Sequence, residues 1–147
     1  MPANAAVPSA LTTVVNYWPT RPAFSVPEPT SRERTISGGP IYKLAAVRQL
    51  ACDQKIVLSH SRKLSKDLEN LEWGLSEIQQ SIAVLTPADY RKSMWCKSGQ
   101  LWLPCDDYVL EQYSEPHFEP PRPIDLYLKF AIAPSGAALV FVSCHPA

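Results

Sequence analysis

An excess of charge is missing: 14 basic and 14 acidic residues leave the 147-residue chain formally neutral. Nucleic-acid binding usually shows as a basic excess, so composition alone does not announce it. Paired cysteine motifs are missing too. Cys52, Cys96, Cys105 and Cys144 never have the C-x-x-C spacing of a zinc or redox site. Cys96, Cys105, His117 and His145 match no common metal-ligand pattern, so neither metal nor cofactor is expected. Four cysteines in a chain this long are no disulfide framework, and they read as reduced, some buried as small hydrophobes. No basic residue precedes Arg21, so the charged start of a secretory signal is absent. The longest apolar run, Ala131 to Cys144, is broken by Pro134, Ser135 and Gly136 and is too short for a spanning helix. These two absences point to a cytoplasmic protein without membrane association.

What is present is an ordinary globular balance, 46% hydrophobic and 19% charged, on a length suited to one domain. Residues 1–38 read as a proline-rich tail that cannot bury enough surface to offset its ordering entropy. Tyr17, Trp18 and Phe24 could still dock it on a surface. Gly38-Gly39-Pro40 marks the boundary, and residues 39–147 form the folded domain.

Three helices are expected first. Leu44, Val47 and Ala51 share a face of one. Leu64, Leu68 and Leu71 share a face of the second, capped by Ser61. Leu75, Ile78, Ile82 and Leu85 line the third. Thr86-Pro87-Ala88-Asp89 then predicts a fourth, short helix that ends before Met94. Strands are expected over residues 102–113, 124–133 and 137–145. Between the first two lies a proline-rich acidic loop. Helices followed by antiparallel strands predict an α+β domain, a small antiparallel sheet flanked by helices.

The turn Pro134-Ser135-Gly136 sets the last hairpin. A three-residue loop opposes Ala133 to Ala137, Tyr127 to Ser143 and Asp125 to His145. Tyr127 and His145 then lie diagonally on one face, about 5–8 Å apart by general sheet geometry. A four-residue loop would flip the second strand. Either way, a tyrosine and a histidine on a polar strand face are more often plain surface residues.

Several blocks resemble the MqsR family of toxin-antitoxin ribonucleases. Leu85 to Met94, with its Arg91-Lys92-Ser93-Met94 core, is similar to the family's aromatic-then-Lys-Ser-Met block. Trp102 and Asp106-Asp107-Tyr108 resemble its tryptophan and Asp-x-Tyr. Leu126-Tyr127-Leu128-Lys129-Phe130 resembles its Tyr-Leu-Lys strand, and Val142-Ser143-Cys144-His145 its terminal Val-Ser-Phe-Lys. The likeness runs from about Tyr42 to the C-terminus. It implies a RelE-like ribonuclease fold, metal-independent cleavage of mRNA, and neutralisation by a cognate antitoxin. The family's catalytic lysine and tyrosine fall on Lys92 and Tyr127. Its C-terminal lysine falls on His145, a departure in type. Its glutamine position holds Cys105, while Gln100 and Gln112 stand out of register, so that role is unassigned.

Nine basic residues against six acidic between Lys43 and Lys97, and one against six between Ser98 and Leu128, put the positive charge on the helical side. RNA is expected there, at Arg91 and Lys97, with Lys129 on the strand behind. Lys92 would supply the cation for a pentavalent phosphorane. His145 would serve as base or acid, since imidazole titrates near pH ~6.5. Tyr127 would share the proton transfer or bind phosphate. Ser93 reads as a structural residue at a helix end. The rival readings are a protein-binding module on the same fold that has lost catalysis, and a housekeeping protein whose tail binds a partner.

Overall fold

The structure, a computed structural model, describes residues 34–36, 38–98, 101–115, 117, 120 and 122–147. The chain order is β1 (Thr35–Ile36), α1 (Leu44–Cys52), β2 (Ile56–Leu58), α2 (Arg62–Leu71) and α3 (Leu75–Ala83). A 3-10 turn (Pro87–Asp89) leads into β3 (Tyr90–Ser98), β4 (Leu101–Glu115), β5 (Arg122–Ile132) and β6 (Leu139–Pro146). The class is α+β, but the sheet has six strands rather than a few, in the order β1-β3-β4-β5-β6-β2. It is mixed, because β2 runs parallel to β6 while the other pairs are antiparallel.

The expected helices form where their apolar spacing puts them. On α2, Leu64, Leu68 and Leu71 are all buried, and Ser61 Oγ accepts the Leu64 N–H at 3.2 Å. Ser61→Ala should therefore cost about 1 kcal/mol, read as a shifted denaturant midpoint with an unchanged slope. On α3, Ile78 and Ile82 are buried with Leu85 beyond, but Leu75 is about half exposed and takes no part in the core. The helices cover one face of the sheet, where Leu126, Leu128, Phe130 and Ile132 of β5 join Leu139 and Phe141 of β6 in a single core.

Four expectations are corrected. The start signal at Thr86 is real, for the Asp89 carboxylate accepts from the Thr86 N–H and hydroxyl. It yields only one 3-10 turn, and the chain then runs extended as β3. Lys92 and Ser93 are thus strand residues, not helix-end residues. Second, the last loop has four residues, Pro134 to Ala137, closed by the Ala133 N–H on the Ala138 carbonyl at 2.8 Å. Gly136 takes a φ of 80° in it, a conformation that favours glycine. The longer loop flips the start of β6, so Leu139 and Phe141 share the face of Ile132 and Phe130, while Val140 is buried on the opposite face across from Ala131. A bulge at Val142 flips it back, and beyond it Tyr127 stands directly opposite His145. Third, β1 pairs with β3 and buries Ile36, so the sheet takes in residues upstream of the expected boundary at Gly38. Fourth, β2 joins the sheet where no strand was expected. Residues 1–33, with Tyr17, Trp18 and Phe24, and also Gln100, lie outside the described residues.

The sheet curls on itself. Ser98, at the end of β3, shares a 2.9 Å hydroxyl contact with Ser59, just past the opposite edge strand β2. The β3–β4 hairpin therefore folds across the face away from the helices. Leu103, Cys105, Ala131 and Val140 are buried on that face. A polar cluster occupies the same face beside them.

Candidate functional site

The side chains of that cluster are set by register. Lys92 opposes Asp107, Asp107 opposes Lys129, and Lys129 opposes Ser143, giving one row across β3, β4, β5 and β6. The next row brings Val109, Tyr127 and His145 side by side. Because directly opposed residues share a face, Lys92, Asp107, Lys129, Tyr127 and His145 all project from the concave side.

The contacts are close. The Tyr127 hydroxyl donates to Asp107 Oδ2 at 2.6 Å. The Tyr127 and His145 rings stack with centroids 4.9 Å apart at 17°. Lys129 Nζ lies 5.6 Å from the Tyr127 ring centre. His145 Nδ1 is 2.8 Å from the Pro146 carbonyl. A carbonyl only accepts, so Nδ1 carries the proton and Nε2 is left as the working nitrogen.

Asp107 is fully buried, and its Oδ1 has no hydrogen-bond partner among the described residues. Burial pushes its carboxyl above the usual range, against the Tyr127 hydrogen bond and the Lys129 and Lys92 charges, which pull it down. Burial also raises the Tyr127 phenol strongly, and the bond to Asp107 and its charge add to that. Tyr127 is therefore held as a neutral donor, not as a phenolate. Cys96, on the same face, has its thiol lowered by a hydrogen bond from Cys105, against burial, with help from Lys129.

Three of the expected site residues, Lys92, Tyr127 and His145, thus meet on one face, and Lys129 joins them. Lys97 does not: alternation along β3 puts it on the other face, opposite Trp102, with Nζ 5.9 Å from that ring. Arg91 is the extra residue of the β3 bulge and pairs with Glu111 at 3.1 Å. Arg91, Lys92 and Lys97, around which RNA was expected on the helical side, all belong to β3 rather than to a helix. Cys105 is fully buried at the position where the resemblance would have a glutamine.

Sequence reasoning missed Asp107. The signal was the doubled Asp106-Asp107 in a strand, where alternation must send one carboxylate to each face. Asp106 is the structural one. It accepts from the Ile41 and Tyr42 N–H groups and from the Ser93 hydroxyl. Among the described residues no group of three or more His, Cys, Asp or Glu side chains is placed to hold a metal ion. No described helix is long and apolar enough to cross a membrane. No protein-family model matches the chain, and no curated protein matches it.

Proposed function

We propose that the protein is a metal-independent endoribonuclease that cleaves mRNA, the toxin of a toxin-antitoxin pair held in check by a cognate antitoxin, on a RelE-like fold. The observation that carries this reading is the convergence of a lysine, a tyrosine and a histidine on one concave sheet face. Cleavage by the ribose 2′-hydroxyl needs a proton acceptor, a cation for the phosphorane and a proton donor for the leaving 5′-oxygen. Lys92 supplies the cation. Tyr127 and His145, stacked at 4.9 Å, stand where two proton-handling groups can flank a phosphodiester. Lys129 adds positive charge beside them. The products are a 2′,3′-cyclic phosphate and a 5′-hydroxyl. The resemblance of the Arg91-Lys92-Ser93-Met94 and Leu126 to Phe130 blocks to MqsR toxins supports the same chemistry.

Inducible expression tests it. Growth arrest with cut transcripts is expected from the wild type, and relief from Lys92→Ala, Tyr127→Phe and His145→Ala. A soluble, folded wild type that leaves growth and transcripts intact would overturn the ribonuclease reading. One observation favours a second reading, a protein-binding module: the Cys105 thiol is fully buried, engaged with the Leu103 carbonyl at 3.6 Å and with the Cys96 sulfur, and offers nothing to a substrate. Tight binding of a partner without any RNA cleavage would mark that case.

A further inference from the structure

Asp106 and Asp107 are adjacent, both fully buried, and differently employed. Both carboxylate oxygens of Asp106 hold donors. Among the described residues Asp107 has one donor, the Tyr127 hydroxyl, and its other oxygen has none. A buried carboxylate oxygen without a partner costs about 1–3 kcal/mol or more, and a structural carboxylate would have been given its partner. The residue is also too enclosed to touch a substrate. The hydrogen bond that it accepts leads out through Tyr127, which is half-buried.

We infer that Asp107 is the terminal proton acceptor of the site: the ribose 2′-hydroxyl gives its proton to the Tyr127 phenol oxygen as the phenol gives its own to Asp107 Oδ2. This rests on the ribonuclease reading of the same face. The freed 2′-oxygen attacks phosphorus, the bond from phosphorus to the 5′-oxygen breaks, and that oxygen takes the Nε2 proton of His145, which enters the step as the imidazolium and leaves it neutral with its Nδ1 proton kept. One proton enters the protein and one leaves it, and exchange with solvent between Asp107 and His145 restores the starting state. The direction follows from the contacts. The phenol already donates to the carboxylate, whereas His145 has Nδ1 committed to the Pro146 carbonyl, which leaves Nε2 for the leaving oxygen. A phenol held this strongly neutral cannot act as base by itself, but it can pass a proton on. Asp107 thereby acts through Tyr127 and is a positioning and proton-holding residue.

The groups facing Asp107 set its titration. Lys92 and Cys96 face it from β3, Tyr127 and Lys129 from β5, with Asp106, Cys105 and Tyr90 close by. Burial wins over the two lysines, so the carboxyl stays protonated to a higher pH than an ordinary aspartate. Activity must therefore rise with pH as Asp107 ionises.

The test is cleavage of a fluorescent RNA oligonucleotide by the purified full chain across pH, for wild type, Asp107→Asn, Tyr127→Phe and the double variant. Asp107→Asn keeps an oxygen for the Tyr127 hydroxyl but cannot take its proton. It should lower kcat about a hundredfold or more, leave KM nearly unchanged, and abolish the acid limb of the profile. The double variant should be no slower than the slower single one, because the two act as one unit. Ultraviolet titration of the tyrosines supplies a readout without RNA, in which Asp107→Asn brings one raised phenol down. If Asp107→Asn fails to fold, loss of the acid limb in Tyr127→Phe carries the test. An active wild type whose acid limb survives Asp107→Asn overturns the relay and leaves the ribonuclease standing. A folded wild type that cuts no RNA, even with the tyrosine shift seen, overturns both.

Discussion

Lys92→Ala is expected to reduce kcat/KM for RNA cleavage about a hundred- to a thousandfold, the usual loss when one stabilising group is taken from a developing anion. Lys92 is exposed and stands at the β3 end of the row that runs through Asp107 to Lys129. Lys129 is half-buried and held beside the Tyr127 ring, so it is the less able of the two lysines to follow a moving phosphate. As the 2′-oxygen attacks, the non-bridging oxygens gain charge, and an ammonium stabilises that state more than the starting diester. The substitution removes nothing from the core, so stability should stay within about 0.5 kcal/mol. Raising the salt concentration should slow the wild type more than the variant, because screening weakens the contact that the variant lacks. Lys92→Arg should retain much of the rate. A Lys92→Ala protein that cuts RNA at the wild-type rate would make this a solvated strand lysine and move the binding-module reading ahead.

The helices were legible because each carries its own signal. Ser61 before Leu64, Leu68 and Leu71 states both where α2 begins and which side it buries, and the structure agrees on both. β3 was not legible for a physical reason. Thr86-Pro87-Asp89 is a genuine helix start, and it outweighed the period-two pattern that follows, in which Ser93 and Trp95 are buried and Lys92 is exposed. The partnership of Tyr127 with His145 was legible only as a neighbourhood. The expected loop was one residue short, and the bulge at Val142, which no local pattern announces, restored the shared face. The curl that brings Ser98 to Ser59 joins residues 39 positions apart. Such a contact has no local signature, so neither the burial of Leu103 and Ala131 on this face nor that of Asp107 could be read ahead.

Asp106→Ala is expected to destabilise the fold by about 4 kcal/mol, a large share of what a domain of this size possesses. The carboxylate ties the start of the helical layer to the sheet. It accepts the Ile41 N–H at 3.0 Å, the Tyr42 N–H at 3.1 Å and the Ser93 hydroxyl at 2.6 Å, and all four residues are buried. Alanine would leave two backbone donors without a partner and out of reach of water. The same site gives stability an unusual dependence on pH. Burial raises the Asp106 carboxyl from 3.8 to about 6, against the hydrogen bonds from Ser93, Ile41 and Tyr42. The neutral form is tolerable because Ser93 Oγ can accept from the acid and still donate onward to the Tyr90 hydroxyl at 2.7 Å. Between the two values the folded chain holds a proton that the unfolded chain has lost, so stability falls as pH rises. The Asp106 contribution is complete below pH 3.8 and is lost as pH climbs through about 6. A shift of roughly two units corresponds to about 3 kcal/mol. Asp107 is displaced the same way, so the informative quantity is the difference between wild type and Asp106→Asn. Denaturant unfolding from pH 4 to pH 7 should show the wild type losing stability against the Asn variant across this window. Parallel curves would mean that Asp106 is ionised throughout and that its hydrogen bonds outweigh its burial.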